Sequence, residues 1–114
     1  MLERGDLVLI PYPFTDLSAS KRRPVLVLTG IDAYGDFIGL PVTSRPGVED
    51  AVPLSQQSMT RGVLPLPSWI RTDRIVTLNS SLAVKVVGQV APQIIDTAAG
   101  KVCHRILPRP MPGQ

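Results

Sequence analysis

Proline and glycine break this sequence into apolar runs too short for helices until the chain is nearly finished. Twelve prolines and nine glycines punctuate branched runs at residues 7–10, 25–28, 37–43 and 51–54, with similar runs after residue 67. Proline fixes φ and lacks a backbone donor, so runs of this length between turn residues read as strands. The fold this predicts is mainly β, with strands close together along the chain.

The stretch at residues 5–29 sets the pattern: two apolar runs flank a polar loop that ends in Lys21, Arg22 and Arg23. Continuous branched runs suit strands covered on both faces, so the stretch predicts two buried strands presenting a cationic loop. Pro11 and Pro13 are expected to close the first strand or to place its end on a sheet edge. Turn chemistry at Gly30, Asp32, Gly35 and Asp36 leads into a third strand at 37–43, where Gly39 and Pro41 suggest a bulge or an edge. A turn at 44–47 and a short strand at 51–54 follow, and residues 55–62 read as a polar, mobile loop.

Residues 68–78 predict one strand, or two meeting at a bend. Because side chains alternate, Arg71 and Asp73 share one face there, with Ile70 and Thr72 on the other. Residues 82–90 predict a last strand. Helical spacing then appears, with Ile95, Ala98 or Ala99, Val102 and Ile106 on one side. Pro92 suits the first helical turn, and Lys101, His104 and Arg105 suit the dipole of the last. The proline-rich residues 108–114 cannot continue the helix and predict a loose tail. Many short strands with one terminal helix predict a single domain of 114 residues, a small, strongly curved antiparallel sheet or SH3-like barrel.

Composition narrows the function. Hydrophobic residues make up 44% of the chain, too many for a disordered polymer. The net charge is only +3, but nine of the twelve cations are arginine, whose planar fork suits phosphate, so a nucleic-acid partner is permitted. The single cysteine, Cys103, excludes an internal disulfide and a cysteine-based zinc cluster, and fits a reducing cytoplasm. With no apolar targeting segment and no apolar run near ~18 residues, neither secretion nor membrane spanning is expected.

Three segments, Gly-Asp-Leu-Val-Leu-Ile from Gly5, Arg-Pro-Val-Leu-Val-Leu from Arg23 and Pro-Val-Thr-Ser from Pro41, carry a resemblance in their order. Together they resemble the MazF/PemK toxins of toxin-antitoxin pairs, over roughly residues 5–107, and Arg71-Thr72-Asp73 is similar to the Arg-x-Asp of some PemK-type members. The resemblance implies the curved sheet or SH3-like barrel of the MazF/PemK/CcdB type. It also implies a cofactor-free, metal-independent endoribonuclease in which the ribose 2′-hydroxyl attacks the adjacent phosphate of single-stranded RNA, and a homodimer silenced by a cognate antitoxin. One histidine, one cysteine and no paired acidic motif agree with chemistry that needs no metal.

Four residues are the expected catalytic set under that resemblance. Arg23 matches the arginine of the Arg-Pro motif, a cation for the scissile phosphate; Thr43 matches a hydroxyl residue that donates to a phosphate oxygen. Arg71 and Asp73 are either an acid-base pair or a structural ion pair, and two neighbouring arginines, Arg71 and Arg74, weaken Asp73 as a base. Lys21, Arg22, Ser44, Arg45 and Arg74 are the expected RNA contacts, although alternation turns Ser44 away unless the strand ends before it. Tyr12, Phe14, Tyr34 and Trp69 are candidates to stack on bases, with core or dimer interface the commoner use of such residues; Cys103 is expected in the core or an interface.

The sequence also departs from the family. Many members carry Glu-Gln or His in the loop before Arg-Pro, where this chain has Ser18-Ala19-Ser20-Lys21-Arg22, so those side chains' roles do not transfer. Two other readings therefore stand beside the nuclease: a gyrase poison of the CcdB type, which the proline-rich end does not support, and a family member that binds RNA without cutting it.

Overall fold

The computed structural model describes residues 2–11 and 22–107. The expectations for Lys21, for Tyr12, Pro13 and Phe14, for most of the first loop and for the tail at 108–114 lie outside the described residues.

The first two strands, β1 (Asp6–Pro11) and β2 (Arg22–Val27), pair antiparallel from Leu7 opposite Leu26 to Pro11 opposite Arg22. Leu7 and Leu26 point into a core shared with Ile95, Ala98 and Val102, while Val8, Ile10, Val25 and Val27 join Phe37 in a second cluster. Both faces of the hairpin are thus covered, which is why its apolar runs are continuous rather than alternating. The next strands are β3 (Asp36–Thr43), β4 (Val52–Leu54), β5 (Met59–Gly62), β6 (Ser68–Ile70), β7 (Val76–Asn79) and β8 (Lys85–Val90), followed by helix α1 (Pro92–Ile106). The sheet runs β4-β6-β3-β2-β1-β8-β5, with β7 also pairing with β3. It is a curled antiparallel sheet closed on one side by a C-terminal helix, as the sequence predicts.

The third strand is neither a bulge nor an edge. β3 pairs with β2 on one side and with β7 and β6 on the other. Gly39 is there because a Cβ would lie 2.6 Å from Val25 Cγ1 and 3.0 Å from the Leu26 carbonyl. Pro41 is tolerated because the five residues 71–75 lie opposite only Leu40 and Pro41, between the β6 and β7 registers. The ladder is open at that point, so no partner carbonyl is left waiting for the absent Pro41 N–H. The Pro41 carbonyl instead accepts the Arg71 N–H at 2.8 Å, at the start of the excursion.

Four further expectations are corrected. Residues 55–62 form not a mobile loop but a 3-10 turn at Gln56–Ser58 and edge strand β5, because Ser55 and Ser58 cap the turn reciprocally. The last strand begins at Lys85, since Ser80–Leu82 is a 3-10 turn capped by the Asn79 side chain. In α1 the buried stripe is Ile95, Ala98 and Val102; Ile106 is 64% exposed, and Cys103 is exposed rather than in the core.

Candidate functional site

The face of the hairpin that carries Leu7 and Leu9 borders a cavity of about 850 Å³. Its floor and walls come from strand ends distant in sequence. β2 contributes Arg22 and Arg23, placed by pairing opposite Pro11 and Ile10. β3 ends at Thr43, so Ser44 and Arg45 are released from strand alternation, and all three line the cavity. The Thr43 hydroxyl oxygen accepts the Arg45 N–H at 3.1 Å, which tightens this turn and leaves the hydroxyl proton free to donate. The excursion at 71–75 contributes Arg71 and Arg74.

Seven of the nine residues expected from the sequence therefore come together. Lys21 lies outside the described residues, and Asp73 is not among the lining residues. Asp73 instead holds Arg71, accepting from Nε at 3.0 Å and Nη2 at 2.7 Å. The two side chains are 25% and 30% exposed, sheltered enough for this paired geometry to hold. The hydrogen bond from Arg71 is the main cause that lowers the Asp73 pKa below its ordinary value, and the same bond raises that of Arg71. Asp73 is therefore an anionic anchor and a poor proton acceptor.

Two features were not expected from sequence. Lys85, the first residue of β8, faces the cavity beside Leu9, its partner on β1. Its signal was visible: it is the only charged residue in the run at 82–90. The other feature is an apolar wall of Val63, Leu64, Pro65 and Leu66. The Gln56 amide fixes it from behind, donating to the Gly62 carbonyl at 3.1 Å and accepting the Leu64 N–H at 2.8 Å.

Among the described residues the lining thus holds six cations, Arg22, Arg23, Arg45, Arg71, Arg74 and Lys85, and no carboxylate or imidazole. Low-dielectric walls concentrate the field of such a cluster and draw polyanions toward it. Of the aromatic candidates, Trp69 is half-buried on β6 and Tyr34 is exposed on the turn before β3; neither lines the cavity. No group of three or more histidine, cysteine, aspartate or glutamate side chains arranged to hold a metal occurs among the described residues, and no helix among them is long and apolar enough to cross a membrane.

The fold is shared with solved toxins. MazF from Deinococcus radiodurans superposes with a TM-score of 0.73 at 21% identity, over 92% of this chain and 96% of that one. The MazE-MazF complex from the same organism gives 0.70 at 19% identity, over 96% and 97%. A mycobacterial endoribonuclease in complex with its cognate antitoxin gives 0.66 at 18% identity, over 97% of each chain. No curated protein matches the sequence. The PemK-like, MazF-like family matches at residues 3–105, a span that takes in every residue lining the cationic cavity and nearly all of α1. The chain therefore belongs to the PemK-like, MazF-like toxins of type II toxin-antitoxin systems.

Proposed function

We propose that this toxin is an endoribonuclease that cleaves single-stranded RNA without a metal ion, by attack of the ribose 2′-hydroxyl on the adjacent phosphate. The P–O5′ bond breaks as the P–O2′ bond forms, leaving a 2′,3′-cyclic phosphate and a 5′-hydroxyl; the 2′ proton passes to solvent water and the leaving O5′ takes a proton from solvent water. The observation that carries this reading is the cavity lining: six cations and the hydroxyls of Thr43 and Ser44, without a carboxylate or imidazole among the described residues. Such a lining stabilises charge developing on phosphoryl oxygens, the term on which phosphoryl transfer chiefly depends.

Arg23, fixed at the start of β2, binds the scissile phosphate with its guanidinium fork. Arg71 binds a phosphoryl oxygen and is kept in place by Asp73, while the Thr43 hydroxyl donates to another. Arg22, Arg45, Arg74 and Lys85, with Ser44, hold the flanking backbone.

The protein acts in the cytoplasm as a homodimer, and an acidic antitoxin silences it by occupying the cavity. Charge complementarity supports this partner, as do the MazE-MazF and endoribonuclease-antitoxin complexes of structurally similar toxins. The chemistry is tested by mapping one cleavage site and replacing the nucleotide 5′ to it with its 2′-deoxy counterpart. The substituted RNA should remain whole at that bond while neighbouring sites are cut; cleavage there would rule out 2′-hydroxyl attack.

A further inference from the structure

Arg105 lies on the last turn of α1 and does not line the cavity, yet its side chain reaches the two segments that supply cations to one end of it. Its Nη2 donates to the Glu49 carbonyl at 2.7 Å and its Nε to Thr72 Oγ1 at 3.4 Å. Glu49 belongs to the loop after β3, which begins with Ser44 and Arg45. Thr72 stands between Arg71 and Asp73, is only 1% exposed, and donates its own hydroxyl to the Asp50 carbonyl at 3.0 Å. Asp50 holds a left-handed φ of 59° and pairs with Lys101 of the same helix at 3.7 Å. The Arg105 guanidinium thus ties the loop carrying Arg45 and the excursion carrying Arg71 and Arg74 to a single helix end.

We propose that Arg105 is a positioning residue that acts through Thr72 to set the distance between Arg45 on one loop and Arg71 on the other. The helix dipole gives a weaker reason for a cation here, and a lysine satisfies it equally. Bridging two acceptors on separate loops needs the planar fork of arginine, which lysine does not offer. Thr72 is suited to relay the constraint because its hydroxyl accepts from Arg105 while donating to the Asp50 carbonyl, and because its side chain is buried in the residue that directly follows Arg71.

The activity arm of the test rests on the nuclease reading; a second arm does not. Amide hydrogen exchange is compared for the wild type, Arg105→Lys, Arg105→Ala and Thr72→Ser, and each is assayed on a short RNA containing one cleavage site. In both Arg105 variants the amides of residues 72–74 should exchange faster while those of β1, β2 and β3 keep wild-type protection; Thr72→Ser, which keeps the hydroxyl, should exchange as wild type does. On RNA, both Arg105 variants should lose about tenfold in kcat with KM changed less than about threefold, the pattern of misplaced rather than missing contacts. Adding Arg105→Ala to Thr72→Val should cost little beyond the single changes if both act through one contact.

Wild-type exchange and kcat in Arg105→Lys would overturn the proposal, and so would additive losses in the double variant. If the wild type cleaves no RNA, the nuclease reading fails, and the exchange of residues 72–74 alone decides the role of Arg105.

Discussion

Arg71 meets Asp73 through two parallel hydrogen bonds, from Nε at 3.0 Å and Nη2 at 2.7 Å, across a single intervening residue whose side chain is buried. The pair sits in the five residues that leave the β3 ladder between β6 and β7. One register mismatch thereby gives a strand-derived cation its fixed place at the cavity wall.

The pair makes stability depend on pH in the acid range. The folded pKa of Asp73 lies below the ordinary 3.8, so its contribution is fully present above that value and is lost as pH falls through the lower folded value. Asp73→Asn should cost about 1 kcal/mol in urea melts at pH 7, a small value suited to a partly exposed pair. As pH falls through that lower folded value, the variant and the wild type should converge. Arg71, raised from an already high value, adds no pH dependence near neutrality.

Under the proposed cleavage, the same geometry fits Asp73 to orienting Arg71 rather than to accepting the 2′ proton. A general base works best with a pKa near the working pH, whereas Asp73 is held low by Arg71. The pH profile of kcat/KM should therefore have no limb between about pH 5 and 7 that disappears in Asp73→Asn. Finding such a limb would return Asp73 to the part of base.

Lys85 contacts backbone phosphate in this account and reads no sequence. Lys85→Ala should weaken RNA binding evenly across sequences and reduce the slope of log K against log salt by about 0.7, the single-strand value for one lost contact. The cleavage pattern on a long RNA should not change. A changed pattern would mean that Lys85 reads bases.

Two glycine substitutions should have opposite signs. A Cβ at Gly39 enters the space of Val25 Cγ1 at 2.6 Å in a strand paired on both sides, so Gly39→Ala should destabilise by about 2 kcal/mol. Gly100 is exposed within α1 with nothing within 4 Å of its Cβ position, and Gly100→Ala should stabilise by about 0.8 kcal/mol. Urea denaturation of the two variants beside the wild type measures both.

Strands covered on both faces were legible because their apolar runs are continuous, as in β1 and β2, and α1 because its spacing switches to the helical period. The face shared by Arg71 and Asp73 was legible from alternation, although the segment proved to be an excursion between strands. Gly39 and Pro41 misled because the features that permit them in a central strand, the Val25 methyl and the unpaired gap opposite residues 71–75, are tertiary. Strand β5 was hidden for a similar reason: its pairing with β8 depends on long-range register rather than on its own polar sequence. Lys85 carried a local signal, but it is long-range register, with β1 Leu9 opposite both Lys85 of β8 and Pro24 of β2, that brings it to the same cavity as Arg22 and Arg23.

The most direct test of the central claim incubates purified, antitoxin-free protein with a long single-stranded RNA in EDTA, beside Arg23→Ala, and maps the ends. The wild type should cut and leave cyclic phosphates, and Arg23→Ala, altered at an exposed residue and folded as the wild type, should lose about 100-fold or more in rate. Failure of the folded wild type to cut any of a diverse set of RNAs would contradict the nuclease account and leave a toxin that binds its target without cleaving it.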